Sequence, residues 1–354
     1  MIDEPGPWGS GPYELVEGFS GLEERAPRVV LRANARYWNP NRKPKLAEIV
    51  FENSLRQEEA LKLIASTEGK VDLVTHVQPK QAALVAGSQY ARLVSVDINS
   101  PVLGLFNRAK PVWQDARVRR AANLAVDRAA VISRGLEGYG RTLPALIPSW
   151  SYGHDGQLDA YPYRPEEARR LLTEAAYPKE QPLKLLSPAL FGACAQVIAD
   201  NLRDLGLRVQ VQVSDPEPDN AYNPYAFMEL MKTAEWDILL HAHFDWSPGN
   251  PIPVLHREYF AQDGLFRNGP PDGTFDRLYA ELVATTKDEA AHLQKAQEIE
   301  GYVYHQALAL FLCTRMAHFA VNRHVNFVPY RSTVLDLAET GVSPQHASLA
   351  VPAG

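Results

Sequence analysis

The side chains best suited to chemistry stand in one short run, HAHFDW, at residues 241–246. The run follows the apolar residues 238–240, and an apolar stretch bounded in this way is typical of a buried strand. Because side chains alternate along a strand, His241, His243 and Asp245 are predicted to share one face. Trp246 then ends the strand with an aromatic ring. Two imidazoles and a carboxylate can hydrogen-bond a ligand, and they are also suitable ligands for a transition metal.

The residues alone leave three interpretations of this run open. First, the three polar side chains line a ligand cleft, since ligands bind at the carboxyl ends of strands in open α/β sheets. Second, the histidines are structural and satisfied by hydrogen bonds. Third, His241, His243 and Asp245 hold the metal of a hydrolase, although two histidines two residues apart on a strand are not a diagnostic zinc spacing.

The sequence carries no enzyme signature that we could identify. It has no G-x-S-x-G elbow, no glycine-rich phosphate loop and no H-E-x-x-H motif. We therefore predict a protein that is not an enzyme and that needs no cofactor.

Length and charge narrow the class of protein further. A chain of 354 residues can form two domains with sizeable cores. The net charge of −6 argues against a nucleic-acid partner or an anionic membrane surface. No apolar run approaches the ~18 residues needed to span a bilayer, so we predict no membrane span. The first ten residues, MIDEPGPWGS, have neither the basic nor the apolar part of a signal peptide.

The two cysteines, Cys194 and Cys313, exclude a dense disulfide or zinc framework. A thiol pair this far apart in sequence is most often two buried small hydrophobes. The sequence does not show whether the two sulfurs meet.

One stretch, residues 106–128, organises the elements around these side chains. Alternation in residues 103–106 predicts a strand end, and Pro111 sets a turn. Asp115 can cap the helix that follows. The helix buries a stripe spaced i, i+3, i+4 and i+7, while its polar residues fall mostly on the other face; the stripe is Val118, Ala121, Ala122 and Ala125. Asp127 can cap a second helix that ends near Gly135.

The rest of the chain alternates between strand and helix patterns. Residues 58–65 predict a helix that buries Ala60, Leu61 and Ile64. Residues 183–186, 195–205 and 207–213 predict a strand, a helix and a strand, which is a βαβ unit. Thr286 with Glu289 forms a capping box at the start of a long helix that reaches about Tyr304.

The central stretch resembles the family 5 extracellular solute-binding proteins, the peptide- and nickel-binding subunits of ABC importers. That family shows a run FN-x-x-x-x-P-F-x-D-x-R-V-R-x-A-(L/I)-x-x-A-(I/V)-D-R, with Trp113 here in place of its Phe. The matching residues are Phe106, Asn107, Pro111, Asp115, Arg117, Val118, Arg119, Ala121, Ala125, Val126, Asp127 and Arg128. The family's G-T-G-P-Y turn and G-x-V-D-L segment also have counterparts at residues 9–13 and 69–73.

The resemblance implies an α/β fold of the bilobal periplasmic-binding-protein type, type II and cluster C-like. Lobe one is predicted to comprise residues 1–108 with a return at 317–354, and lobe two residues 109–316. The chain would cross twice, so that the two crossing strands act as a hinge. Because family members carry a long segment before the G-T-G-P-Y turn, we expect this chain to be truncated at its amino terminus relative to them.

The function implied is capture of a small, peptide-like solute for an ABC importer by closure of the lobes. The partners would be the solute and the permease subunits. The location would be periplasmic or extracytoplasmic, while the missing signal peptide leaves the cytoplasm open. The alternatives are a ligand-sensing domain of a transcriptional regulator and the metal-dependent hydrolase described above.

The resemblance also adds candidate ligand-binding residues. Asp245 lies near the family's cleft Asp, and His243 falls where the family has a Trp. Phe106 and Asn107, at the predicted lobe crossing, are further candidates. Residues 187–192 contain no arginine, which weakens the hypothesis that an Arg there clamps a peptide carboxylate.

Overall fold

The computed structural model describes residues 9–20, 24–216, 224–242, 250–264, 266, 272–331 and 335–349. The chain divides into two compact units, Met1–Val96 with Ala317–Gly354, and Asp97–Met316. The sequence placed residues 97–108 in the first lobe, whereas here they group with the second unit. The reason is that this part of their strand pairs with a strand of the second unit at residues 238–242.

The first unit opens with an antiparallel sheet of three strands, β1 (Tyr13–Glu17), β2 (Arg28–Ala33) and β3 (Glu48–Glu52). Leu15 lies opposite Leu31, which lies opposite Ile49. Such cross-strand apolar pairs hold one face of a sheet against its core. Helix α1 (Gln57–Ser66) follows and buries Ala60, Leu61 and Ile64, which confirms the helix predicted there.

The remaining elements of the first unit are short. They are strand β4 (Leu73–Val74), helix α2 (Ala82–Ala86), and the paired strands β11 (Val325–Asn326) and β12 (Gly341–Val342).

Two long strands belong to both units, β5 (Ala91–Phe106) and β10 (Ala309–Asn322). They are neighbours in one sheet. In the first unit β4 pairs with the end of β10, at residues 320–321. The sequence patterns predict two separate strands at residues 307–313 and 318–321, whereas the structure has the single strand β10. The strand continues between them because Thr314 and Arg315 pair with β6 (Gly140–Thr142), and Met316 N–H donates to Tyr139 O at 3.3 Å.

The second unit contains the predicted βαβ unit, formed by β7 (Leu183–Ser187), α6 (Gly192–Asp204) and β8 (Val209–Val213). Strand β9 (Ile238–Ala242) runs parallel to β7 on its other side, and β5 runs antiparallel to β9. The order β10-β5-β9-β7-β8 therefore gives a mixed sheet with helices around it.

The central motif folds as predicted into helix α3 (Ala116–Ala125) and the short α4 (Arg128–Ala130), which continues as a π-turn to Gly135. The Asp115 carboxylate accepts a hydrogen bond from Arg117 N–H at 2.8 Å, and Asp127 accepts one from Ala130 N–H at 3.1 Å. Both predicted caps are thus confirmed.

The polar face of α3 differs from the expectation, because Arg119 and Asn123 are buried there, at 2% and 0% exposure. Asn123 donates to Ala309 O and accepts from Phe311 N–H. The helix is therefore packed on both faces. Asn123 bonds the backbone of β10, and Arg119 bonds carbonyls in the turn that precedes β10.

The other helices of the second unit are α5 (Pro165–Glu174), α7 (Pro224–Thr233), α8 (Ile252–Val254), α9 (Thr274–Ala284) and α10 (Glu289–His305). Helix α9 was not predicted. The predicted Thr286 cap of α10 is wrong, because Asp288 accepts the hydrogen bond from Ala291 N–H at 3.0 Å. Carboxylates are strong caps, and Asp288 directly precedes the helix.

Within the described ranges, no helix combines the length and the apolar character that a membrane span requires. Cys194 and Cys313 are both buried free thiols. Burial raises the pKa of the Cys194 thiol to about 12, so this thiol stays protonated and unreactive at neutral pH.

Candidate functional site

The carboxyl ends of three parallel strands, β7, β8 and β9, meet at one edge of the second unit's sheet. Ligands bind outside this edge in open α/β sheets. Because β5 runs antiparallel to β9 with Val102 opposite Ala242, the residues just before Val102 lie at the same edge. Three of these residues, Asp97, Asn99 and Ser100, carry polar side chains.

Asp97 is the first of them, and its carboxylate is mostly buried, with 12% of the side chain exposed. Arg141 on β6 reaches it with Nε at 2.8 Å from both carboxylate oxygens. Most of the Arg141 side chain, 61%, is exposed. The pair therefore anchors an exposed guanidinium at this edge, a group suited to carboxylate or phosphate oxygens.

Asn99 is the second, and two side chains of one loop hold its amide oxygen. Trp150 Nε1 and Ser151 Oγ both donate to Asn99 Oδ1, the latter at 2.8 Å. The third residue, Ser100, is fully buried and accepts a hydrogen bond from Arg315 Nε at 3.3 Å. We call Asp97, Asn99 and Ser100, with these partners, the strand-end row.

The strand-end row can bind a ligand but has no catalytic arrangement. Its Arg141 and Arg315 guanidiniums and its Trp150 indole can recognise oxygen atoms and flat apolar groups, whereas the Ser100 and Ser151 hydroxyls are buried. We see in it no nucleophile hydrogen-bonded to a general base.

His241 lies one residue before the end of β9 and is buried, with 8% exposed. Its Nδ1 is 2.7 Å from the Tyr259 hydroxyl. Its ring contacts those of Phe227 and Phe266. The residue therefore packs in an aromatic cluster, which favours the structural interpretation for this histidine.

His243, Asp245 and Trp246 lie outside the described residues. They directly follow Ala242, the last residue of β9. Their role in binding stays a prediction.

Phe106 and Asn107 lie at the other end of the sheet. Phe106 is opposite Ile238, the first residue of β9, and stacks on Trp113 with the ring centroids 4.7 Å apart. Asn107 holds a turn, donating to Trp236 O at 2.9 Å and accepting from Ala109 N–H at 3.1 Å. The structure thus does not bring these two residues together with His241, and their contact with a ligand also stays a prediction.

A cavity of about 300 Å³ lies at this other end, lined by residues that include Lys110, Tyr177 and Asp237. The Lys110 ammonium is 3.0 Å from the Asp237 carboxylate, and Asp237 also accepts from Lys184 N–H. The Asp237 carboxylate already bonds these two partners. We therefore assign the candidate site to the carboxyl ends of β7, β8 and β9 and not to this cavity.

Among the described residues, no group of three or more His, Cys, Asp or Glu side chains is placed to hold a metal ion.

A buried carboxylate, Glu300 of α10, supports the loop that carries Trp150 and Ser151. It accepts hydrogen bonds from Ile147 N–H at 3.0 Å and Asp155 N–H at 2.6 Å, one on each side of these two residues. Burial raises the pKa of Glu300 to about 7. The loop is therefore tied to α10 by a group that titrates near neutral pH.

This burial predicts how stability depends on pH. The carboxyl of the unfolded chain loses its proton near pH 4.5, whereas folded Glu300 keeps its proton up to about pH 7. The folded state therefore binds more protons in this window, and this contribution to stability is lost as the pH rises from 4.5 to 7. We expect the Tm of the wild type to fall by about 5–10 °C as the pH rises from 4.5 to 7 because of this group. In Glu300→Gln this fall should be absent. Thermal unfolding at several pH values measures it.

Glu298→Gln is the matched control, because Glu298 lies on the same helix with its side chain 48% exposed. It should keep the wild-type dependence on pH. A Glu300→Gln profile with the wild-type slope would contradict the assignment.

Sequence reasoning missed Asp97, Asn99 and Arg141. The signal was present in the segment VDINS, residues 96–100, where polar and apolar side chains alternate along a strand. Nothing in the sequence indicated Trp150 or Ser151, because they reach Asn99 across 51 and 52 residues.

Known proteins match this chain over most of its length. Residues 3–264 match the bacterial extracellular solute-binding proteins, family 5, in the middle region of that family. Heme-binding protein A of Haemophilus influenzae is 25% identical over 317 residues, 85% of this chain and 53% of the relative. The dipeptide-binding protein of Escherichia coli K12 is 26% identical over 174 residues, 49% of this chain and 31% of the relative.

A solved structure agrees in fold. The ABC transporter substrate-binding protein CtaP of Listeria monocytogenes superposes with a TM-score of 0.76 at 18% identity, covering 95% of this chain and 67% of that one. This agreement confirms the α/β fold of the type II periplasmic binding proteins. The chain spans about half the length of Heme-binding protein A, the longest of these sequence matches. Since the family match extends over residues 3–264, the chain belongs to the bacterial extracellular solute-binding proteins of family 5.

Proposed function

We propose that this chain captures a small, peptide-like solute reversibly, without chemical change, and delivers it to the permease subunits of an ABC importer on the outer side of the cytoplasmic membrane. The observation that carries the proposal is the family match over residues 3–264. A relative named for dipeptide binding and a neighbour named as an ABC substrate-binding protein support it.

The strand-end row is consistent with this function. Peptide-like solutes offer carbonyl and carboxylate oxygens, and the row presents Arg141 and Arg315 as donors for them. Bidentate recognition of a carboxylate is a property of guanidinium groups. We propose that the solute contacts this row and the segment that follows β9, which contains His243, Asp245 and Trp246.

The predicted mechanism is closure of two lobes around the solute. A ligand favours the closed state only by its higher affinity for that state. Closure stays a prediction, and comparing small-angle scattering with and without a bound solute would measure it.

Titration calorimetry tests the function directly. The panel is alanyl-alanine, trialanine and reduced glutathione, with a nickel chelate and a small sugar as other solute classes. We expect saturable heat with at least one peptide and none with the sugar. Absence of heat with every peptide would overturn peptide capture. If only the chelate or only the sugar binds, the solute of this protein is a metal chelate or a sugar instead.

No specific observation favours either of the two alternative functions. The hydrolase hypothesis requires His241 as a metal ligand, but its Nδ1 is hydrogen-bonded to the Tyr259 hydroxyl within an aromatic cluster. The family match gives no separate support to the regulator hypothesis.

A further inference from the structure

The mixed sheet of the second unit, as far as the structure describes it, ends at β8, and one edge of this strand is open. Ser214 N–H donates to Ser187 O on β7 at 3.0 Å. Because the N–H and C=O groups of successive residues in an extended strand point to opposite sides, the backbone of the even-numbered residues faces β7. The backbone groups of the odd-numbered residues, Val209, Val211 and Val213, therefore face the open edge.

Most of these outward backbone groups are unpaired. Val209 O accepts a hydrogen bond from Arg203 Nη2 at 2.9 Å, and a carbonyl oxygen has a second lone pair for another donor. In the part of the chain that the structure describes, no hydrogen bond reaches the N–H or C=O groups of Val211 and Val213. Val213 is also 42% exposed. Such a row of backbone donors and acceptors is a template for another strand.

Strand β8 lacks the side chains that protect such edges. Edge strands usually carry charged residues or proline, which hinder pairing with another chain. The edge strands of the three-stranded sheet in the first unit follow this rule, since β1 carries Glu14 and Glu17 and β3 carries Glu48 and Glu52. The sequence of β8 is VQVQV, without a charge or a proline. Its open edge is therefore suited to pairing.

The sequence of β8 also reads the same in both directions. When two copies of the strand pair antiparallel about Val211, Val209 of each copy lies opposite Val213 of the other. The outward residues then face one another, where an antiparallel ladder exchanges N–H···O=C bonds. Every valine meets a valine and every glutamine meets a glutamine, so the apolar faces of the two sheets stay continuous. This self-complementarity favours a second copy of this chain as the partner.

Charges beyond the two ends of β8 favour the same arrangement. Arg208 directly precedes the strand and Asp215 follows it by two residues, and both are exposed. Antiparallel pairing brings Arg208 of one copy beside Asp215 of the other at each end of the ladder, whereas parallel pairing would bring like charges together. Arg208 pairs with Glu180 of its own copy at 2.8 Å, and a guanidinium has enough donors for a second carboxylate.

We propose that β8 is a self-association surface, at which two copies of this chain pair antiparallel and continue one sheet into the other. A pair of five-residue strands is a small contact, and small interfaces are typical of weak, transient association. The dimer is therefore expected to dissociate on dilution.

Sedimentation velocity of the wild type at increasing protein concentration tests the proposal. We expect the mean mass to rise from that of one chain toward that of two. Val213→Pro removes an outward N–H that makes no hydrogen bond within the described chain, so the fold keeps its bonds. The dimer loses one hydrogen bond from each copy, which should weaken association by roughly ten- to hundredfold. Val213→Lys places a charge on the same edge and should also weaken association. Neither variant should change Tm much.

Val211→Cys tests the register of the pair. In the antiparallel arrangement Val211 lies opposite itself, with the Cα atoms ~5.5 Å apart, a distance that a disulfide spans. Mild oxidation should therefore give a covalent dimer through this cysteine, because the native thiols of Cys194 and Cys313 are buried. Val283→Cys on α9 is the control, since Val283 is a valine of similar exposure, 49%, on a different element. It should give no covalent dimer.

A wild type that sediments as one chain at every concentration overturns the proposal and leaves the edge to an extended segment of another protein. A dimer that persists in both Val213 variants, with no cross-link in Val211→Cys, forms at another surface and overturns the proposal too. Because none of these measurements uses a solute, their outcome is independent of the proposed function.

Discussion

Replacing Arg119 by methionine is expected to lower the free energy of unfolding by about 3–5 kcal/mol, a larger effect than most single substitutions produce. The side chain is 2% exposed and stands in the first half of α3. Methionine keeps most of its apolar volume but removes every donor. The change therefore isolates the hydrogen bonds of the guanidinium from the packing of its carbon chain.

The hydrogen bonds of the Arg119 guanidinium join two parts of the chain that are far apart in sequence. Arg119 Nη1 donates to Trp113 O at 2.7 Å and to Gln114 O at 2.9 Å, just before α3. Its Nε and Nη2 donate to Gln306 O at 3.1 and 2.9 Å, and Nε also to Ala307 O at 3.2 Å, in the turn between α10 and β10. Without the guanidinium these carbonyls lose their donor, and each buried polar group left unsatisfied costs about 1–3 kcal/mol.

Arg117→Met on the same helix is the control. Arg117 is half exposed and pairs with Asp115 at 2.6 Å. Exposed ion pairs contribute little to stability, so we expect almost no change in the urea midpoint of this variant. Urea unfolding of both variants against the wild type measures the difference. Equal midpoints for the two variants would show that the bonds of Arg119 do not stabilise the second unit.

The contrast between these two arginines shows how far the sequence could predict the fold. Helical spacing correctly predicted the buried stripe of α3, and capping chemistry correctly predicted Asp115, because both depend on neighbours within a few residues. The burial of Arg119 depends on carbonyls 187 and 188 residues away in sequence. No local pattern distinguishes it from Arg117, so the sequence could not show which arginine is structural.

In the candidate site, too, local patterns were predictable from the sequence and contacts between distant residues were not. The apolar run at residues 238–240 predicted strand β9, which the structure contains. Alternation along the strand then predicted that His241 shares a face with His243 and Asp245. The sequence could not show that Tyr259 and Phe266 come from 18 and 25 residues further along to enclose the ring. The strand-end row was missed for a related reason, since its loop reaches Asn99 from residues 150–151.

Replacing Asp245 by asparagine is expected to weaken solute binding by roughly ten- to hundredfold, with little change in Tm. The expectation comes from the sequence, since Asp245 follows β9 and resembles the cleft Asp of the family. A carboxylate that accepts a charge-assisted hydrogen bond from a donor or cationic group of the solute contributes ~1.5–3 kcal/mol, which corresponds to that change in affinity. Asparagine keeps the shape of the side chain and removes the charge.

His243→Ala is expected to lower affinity as well, if the imidazole packs on the solute. His241→Ala is the contrasting variant, because its ring is buried and hydrogen-bonded to Tyr259. We expect it to lower Tm, since it leaves a cavity in the aromatic cluster and removes the imidazole partner of a buried hydroxyl.

Calorimetry with the tightest peptide, combined with thermal unfolding of the same samples, separates the roles of the three residues. A binding role requires lower affinity at unchanged Tm, whereas a structural role requires lower Tm at unchanged affinity. If Asp245→Asn and His243→Ala both bind the peptide as the wild type does, the segment after β9 is not part of the site. Solute recognition in the second unit would then rest on the strand-end row alone, and Arg141→Gln would be the variant expected to lose affinity.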